Sequence, residues 1–164
     1  MKKFELTSEF VTFLGKKLFR IKALVSFGDV KEGELGGLVE KEENLDQSGD
    51  AWVSGDAQVS GDARVYGDAR VYGDAWVYGD AWVSGNARVQ NCRDYSATSC
   101  FGSENRTTTF FRTKDGGISV RCGCFYGTLN EFREKVKERH GDSRLAKEYL
   151  MLADLMEFRL SKDE

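Results

Sequence analysis

The chain has 164 residues, 40% hydrophobic and 31% charged, a size and balance that suit one compact unit or a solenoid with caps. Its 24 Lys and Arg against 27 Asp and Glu give a formal net charge of −3, which argues against a generalised nucleic-acid binder, since phosphate contacts demand surplus cations. There is no long apolar run and no signal-like apolar stretch behind Met1-Lys2-Lys3, so neither a membrane span nor secretion is indicated, and the expectation is a cytoplasmic protein without a membrane partner.

Residues 3–30 alternate in polarity through EFVTF, LGKK and LFRIKALVSF, the pattern of a β-hairpin around Gly15 with one apolar face. A repeat end exposes raw strand edges, and this segment is read as a structural cap. From 31 to 48, Gly33, Gly36 and Gly37 break the alternation, and Leu38, Val39 and Leu45 suit an irregular first coil. The run Glu40-Lys41-Glu42-Glu43 reads as a solvated turn.

Residues 48–89 are seven tandem six-residue units: SGDAWV, SGDAQV, SGDARV, YGDARV, YGDAWV, YGDAWV and SGNARV. A period of six means a solenoid. Ala and the Val two residues on point to one side of an extended segment, inward, and the residue between them points out. Gly-Asp supplies the corner: Gly tolerates positive φ, and Asp is expected to bond its carboxylate to nearby amides. Three sides make a triangular coil of about eighteen residues, and stacking at roughly 4.8 Å buries every Val in one column. The domains are therefore read as a cap over 1–30, a β-helix over 31–91 and a C-terminal module over 92–164.

In that last module, 107–125 reads as a hairpin turning at Asp115-Gly116-Gly117. Thr128-Leu129-Asn130-Glu131 is a capping box for a helix with Leu129, Phe132 and Val136 on one face, ending near Gly141. A second helix follows from about Asp142 with the stripe Leu145, Tyr149, Leu152 and Met156. Cys92, Cys100, Cys122 and Cys124 all lie beyond the array. Cys122-x-Cys124 lacks the two-residue spacer common in zinc motifs, and the reading is reduced structural thiols, with zinc and disulfide pairing as the alternatives.

Read from Val53, units such as V-S-G-D-A-Q and V-Y-G-D-A-R resemble the hexapeptide repeat of left-handed β-helices, the trimeric acyltransferase-like superfamily. The position after the aliphatic residue is often Gly, Ala, Glu or Asp there, whereas here it is Ser54, Tyr66, Tyr72 or Tyr78, which sets aromatic rings on the outside. The whole chain, with its GELGGLVE, FRTKDGG, CGCF and HGD segments, is also similar to phage and prophage hexapeptide-repeat proteins. The fold class implied is mainly β: a left-handed parallel β-helix with an N-terminal β cap and a C-terminal α+β module of a hairpin plus two helices.

Acyltransferases of that superfamily use a histidine on the β-helix as general base. The one histidine here, His140, falls at the predicted end of a helix in the tail, where a helix C-terminus favours a partly positive imidazole. No catalytic residue, metal or cofactor is therefore assigned. The stacked corner acids Asp50, Asp56, Asp62, Asp68, Asp74 and Asp80 invite calcium, but the calcium-binding β-roll has a nine-residue pattern and these units have six.

The outward positions carry Trp52, Gln58, Arg64, Arg70, Trp76, Trp82 and Arg88, and the positions after Val carry Tyr66, Tyr72 and Tyr78 among serines. Exposed Trp, Tyr and Arg are interface residues. They suit self-association into the trimer the resemblance implies, cover by the terminal modules, or a ligand site in which a ring stacks a base and Arg engages phosphate. The site residues chosen are Arg64, Arg70, Arg88, Trp76, Trp82, Tyr66, Tyr72 and Tyr78. The function expected is a non-enzymatic trimeric binding protein of phage type, sequestering or blocking a host factor, whether a host protein or a nucleotide-like immune signal. A divergent hexapeptide acyltransferase and a virion-associated structural spacer are the alternatives.

Overall fold

The structure is a computed structural model that describes residues 1–102 and 104–161. Each unit of the array contributes one two-residue strand: β4 (Trp52–Val53), β5 (Gln58–Val59), β6 (Arg64–Val65), β7 (Arg70–Val71), β8 (Trp76–Val77), β9 (Trp82–Val83) and β10 (Arg88–Val89). They pair in parallel with partners three units apart, so Arg70 lies between Trp52 and Arg88, Gln58 beside Trp76, and Arg64 beside Trp82. The result is a three-faced β-solenoid: β4, β7 and β10 form the first face, β5 and β8 the second, β6 and β9 the third.

Every second amide of a coil donates to the coil beyond, as Asp50 N to Gly67 O at 3.0 Å, Trp52 N to Ala69 O at 3.0 Å and Ser54 N to Val71 O at 2.9 Å. Each unit's Ala and Val are fully buried, from Ala51 and Val53 to Ala87 and Val89. Burying one Val contributes about 1.5–3 kcal/mol, and only stacking makes that burial possible.

The corners turn on glycine. Ala57 N donates to Ser54 O at 3.3 Å across Gly55 at φ 64°, the arrangement of a type II′ turn. At Gly49 a Cβ would also sit 2.8 Å from Gly67 O of the next coil. The corner aspartates do not bond as anticipated: among the described residues none of the six accepts a backbone amide with its carboxylate, and Asp62 instead takes the Lys41 ammonium at 2.8 Å. Their amides serve the inter-coil ladder, and the turn's own bond leaves the carboxylate in solvent.

At the N-terminal end β1 (Phe4–Phe13) and β2 (Lys16–Ala23) form the anticipated hairpin. Leu14 at φ 48° and Gly15 at φ 78° give the two positive dihedrals of a type I′ turn. β2 pairs antiparallel with β3 (Leu35–Val39), which pairs parallel with β5, so the hairpin extends the second face. Phe4, Ile21 and Ala23 join the valines in one core. The first coil is longer than the rest, and its slack is filled by fully buried Asn44, whose amide donates to Gly61 O at 3.1 Å and Ala63 O at 2.9 Å. Lys3 Nζ meets Ser48 O at 3.3 Å, Gly49 O at 3.3 Å and Ala51 O at 2.9 Å, carbonyls that a preceding coil would otherwise have taken.

Beyond β10 the chain forms a four-stranded antiparallel sheet, β11 (Tyr95–Phe101), β12 (Arg106–Arg112), β13 (Ile118–Cys122) and β14 (Phe125–Thr128), and then α1 (Leu129–His140) and α2 (Arg144–Leu160). The hairpin read from sequence is its middle pair; β11 and β14 were not anticipated. Adjacent residues of β12 serve two cores: Phe111 packs with the solenoid and Phe110 with the helices. The capping box of α1 forms, with Glu131 N on Thr128 Oγ1 at 3.2 Å and Thr128 N on Glu131 Oε2 at 2.9 Å. Tyr149, Leu152 and Met156 are buried as the stripe requires, while Leu145 is half-exposed. Asp94 closes the solenoid's far end, accepting from Gln90 N at 2.8 Å and Asn91 N at 3.2 Å while Arg112 pairs with it at 3.2 Å. No helix among the described residues is long and apolar enough to cross a membrane.

Candidate binding groove

The eight residues singled out from sequence are divided among three faces whose surroundings differ. On the first face the loop between β2 and β3 folds over the array. Trp52, expected to face solvent, is only 3% exposed, with Phe27 5.4 Å and Phe4 6.4 Å from it, both edge-on. Arg70 is held by Asp29 at 2.5 Å. Arg88 turns back on the backbone, Nη1 donating to Asp68 O at 2.9 Å and Ala87 O at 2.8 Å, and Tyr72 is half-buried. Trp52, Arg70 and Arg88 are thus engaged in holding the protein together.

On the second face the tip of the hairpin partly covers Trp76, with Phe13 4.6 Å from its ring. Trp76 keeps 38% and Tyr78 61% of its surface exposed. The hollow between hairpin and array, about 440 Å³, is bordered by Phe13, Leu14, Lys16, Trp76 and Tyr78. Tyr95 anchors the far sheet here, its hydroxyl donating to Trp76 O, and burial raises its phenol well above the ordinary range.

The third face gathers Arg64, Tyr66 and Trp82. Tyr66 and Trp82 meet edge to face at 6.1 Å and 89°. The Arg64 guanidinium lies 5.7 Å from the Trp82 ring centre. From the opposite wall Arg121 of β13 lies 5.3 Å from Trp82 and 5.7 Å from Tyr66. Thr109 of β12 joins the walls, its hydroxyl accepting from Trp82 N at 3.1 Å where the next coil's carbonyl would have been. A trough of about 870 Å³ runs from this cluster past Asn105, Arg106 and Thr107, and a second of about 620 Å³ runs past Asp46, Gln47 and Tyr66. Both share Glu43, Arg64, Trp82 and Arg121, so they form one continuous groove between array and sheet.

The groove's other cations are neutralised locally. Lys41 pairs with Asp62 at 2.8 Å, which raises the ammonium and lowers the carboxyl from their ordinary values, and Arg106 pairs with Glu104. Arg64 and Arg121 make no ion pair or side-chain hydrogen bond among the described residues. Glu43, Asp46 and Asp80, also on the walls, make no ion pair among the described residues either. Arg121 Nε and Tyr66 Oη are buried without a hydrogen-bond partner. An aromatic floor with two unclaimed guanidiniums suits a planar ligand that carries negative charge.

Arg121 and Thr109 were missed from sequence. Strand alternation sets Arg121 opposite Val120, which packs on the helices, but it does not say that the other side of the sheet looks onto the array. His140 ends α1 and stacks on Tyr149 at 5.8 Å, in the tail and not on the array. All four cysteines are free thiols, with Cys122 accepting from Thr108 Oγ1 at 3.2 Å. Among the described residues no cluster of three or more His, Cys, Asp or Glu could hold a metal ion.

The repeat is what known families recognise. The family model described as YdcK Beta solenoid repeat matches residues 57–73, 63–79 and 69–85, three overlapping frames each displaced by one unit. The array is thus similar to that β-solenoid repeat, and the match extends to neither the cap nor the C-terminal module. No curated protein gives a match to the chain.

Proposed function

We propose that this is a non-enzymatic binding protein whose groove on the third face holds a small anionic ligand with a planar ring, of nucleotide type. The observation that carries the reading is the meeting of Arg64 and Arg121 on Trp82, with neither guanidinium in an ion pair among the described residues. The ring would stack on Trp82 or Tyr66, and the anion would lie between two arginines supplied by two different modules. With its one histidine in the tail, the array offers no general base for acyl transfer. In the phage or prophage setting suggested by resemblance, such a groove would sequester a signalling nucleotide of the host.

The winding is taken as left-handed and the assembly as a homotrimer, with the second face and its exposed Tyr78 and Trp76 as the surface between copies. Light scattering on the purified protein and its Tyr78→Glu variant tests the assembly. A trimer that the substitution dissociates agrees with the proposal; an unchanged mass for the variant contradicts that surface. The ligand reading is tested by calorimetric titration with adenosine monophosphate. Binding that weakens by about tenfold or more in Arg64→Ala and Trp82→Ala supports it. No binding, or binding indifferent to both substitutions, overturns it.

A further inference from the structure

Arg121 stands out among the groove's side chains because it lies on the surfaces a ligand would use. Its guanidinium covers the rings of both Tyr66 and Trp82, the stacking faces of the groove. Its backbone is held in the middle of the sheet, Thr109 on one side and Tyr126 on the other, so only the side chain can yield. In this position Nε is buried with no acceptor. Leaving the rings therefore frees a donor from an unfavourable setting, but it also forfeits the cation–π contact with two rings.

We infer that Arg121 is the residue that selects ligands by charge: a planar ring and Arg121 compete for the same aromatic faces, and only a ring bearing an anion gives the displaced guanidinium a new partner. The inference rests on the groove being the ligand site. A neutral ring must displace Arg121 without replacing its contacts. A charged one receives it in a charge-assisted hydrogen bond, with Arg64 approaching from the array side. Glu43 and Asp80 sharpen the choice, since an anion placed anywhere but between the guanidiniums meets their carboxylates. The array thus supplies the platform and one cation, and the C-terminal sheet supplies the discrimination.

The test is titration of the intact protein and of Arg121→Ala and Arg121→Gln with adenosine, adenosine monophosphate and indole-3-acetate, with melting curves confirming that each variant is folded. The wild-type protein should bind the monophosphate about tenfold or more tightly than adenosine. Both substitutions should weaken the monophosphate about tenfold and tighten adenosine severalfold, collapsing the preference from both ends. Indole-3-acetate separates the two sources of the anion: the preference extends to it if any anion serves, and is confined to the monophosphate if phosphate geometry is required. If the variants lose both adenine ligands equally, or keep the wild-type preference, the selecting role is overturned and the groove stands. If neither ligand binds the wild-type protein, both readings fall.

Discussion

The first and third faces of the solenoid are made from the same six-residue unit, yet one is sealed and the other is open. On the first, the loop after β2 lays Phe27 on Trp52 and Asp29 on Arg70, so an indole and a guanidinium that the repeat sets outward become interior parts. On the third, the C-terminal sheet stands across from Arg64 and Trp82 and contributes Arg121 without closing the space. The repeat fixes which way a side chain points, and the flanking modules decide whether that direction is core or solvent. Residues equivalent within the unit are therefore unequal in role.

Substitutions that pair one face with the other break or sharpen this contrast. The largest effect is expected at tryptophan. Trp52→Ala should lower stability by about 3–5 kcal/mol, as for other buried aromatic deletions, whereas Trp82→Ala, at a half-buried ring, should cost about 1–2 kcal/mol and weaken ligand binding about tenfold or more. Denaturant melts of both variants check the difference, and equal losses would mean that the first face is not sealed.

Arginine offers the complementary pair. Arg64→Ala should weaken adenosine monophosphate about tenfold with little change in melting, while Arg70→Ala should leave that affinity intact and cost about 1 kcal/mol through the loop anchored by Asp29. Isothermal titration set beside thermal melting separates the two outcomes.

A smaller effect concerns the closed N-terminal end. Burial lowers Lys3 from the ordinary lysine value of 10.5 to about 8, with Asp46 and Asp50 opposing the shift and Arg70 adding to it. Folded Lys3 therefore sheds its proton before the unfolded chain does, so the stability due to this group rises with pH from about 8 to about 10.5 and is lost as the pH falls back through 8. Melting temperatures measured across that window should show the rise in the wild-type protein, and Lys3→Met should lack it.

The smallest effect lies at the hairpin tip, where Leu14 is 86% exposed at φ 48°. Leu14→Asn should raise stability by about 0.5–1 kcal/mol, because Asn tolerates the left-handed region that strains Leu. A chemical melt resolves a change of that size.

The array was legible in the sequence because one short unit fixes a turn, an inward pair and an outward residue seven times over, and packing has no competing solution for Ala51 through Val89. The capping box at Thr128 and the hairpin at Gly15 were legible for the same local reason. What escaped was long-range. Asn44 filling the longer first coil, Thr109 ending the third face's ladder and Arg121 reaching Trp82 each depend on a partner far along the chain. Arg64, Tyr66 and Trp82 could be named from their places in the unit, but their separation from Arg70, Arg88, Tyr72, Trp76 and Tyr78 could not, since that follows from where the caps fold.

The most direct measurement is made on the double variant Trp52→Phe, Trp76→Phe, which keeps Trp82 as its one indole. Titration with adenosine monophosphate should change the Trp82 emission, and adding Arg64→Ala should move the change to about tenfold higher ligand concentration. A silent Trp82, together with a response from a protein that retains Trp76 alone, would move the ligand to the second face and contradict the groove.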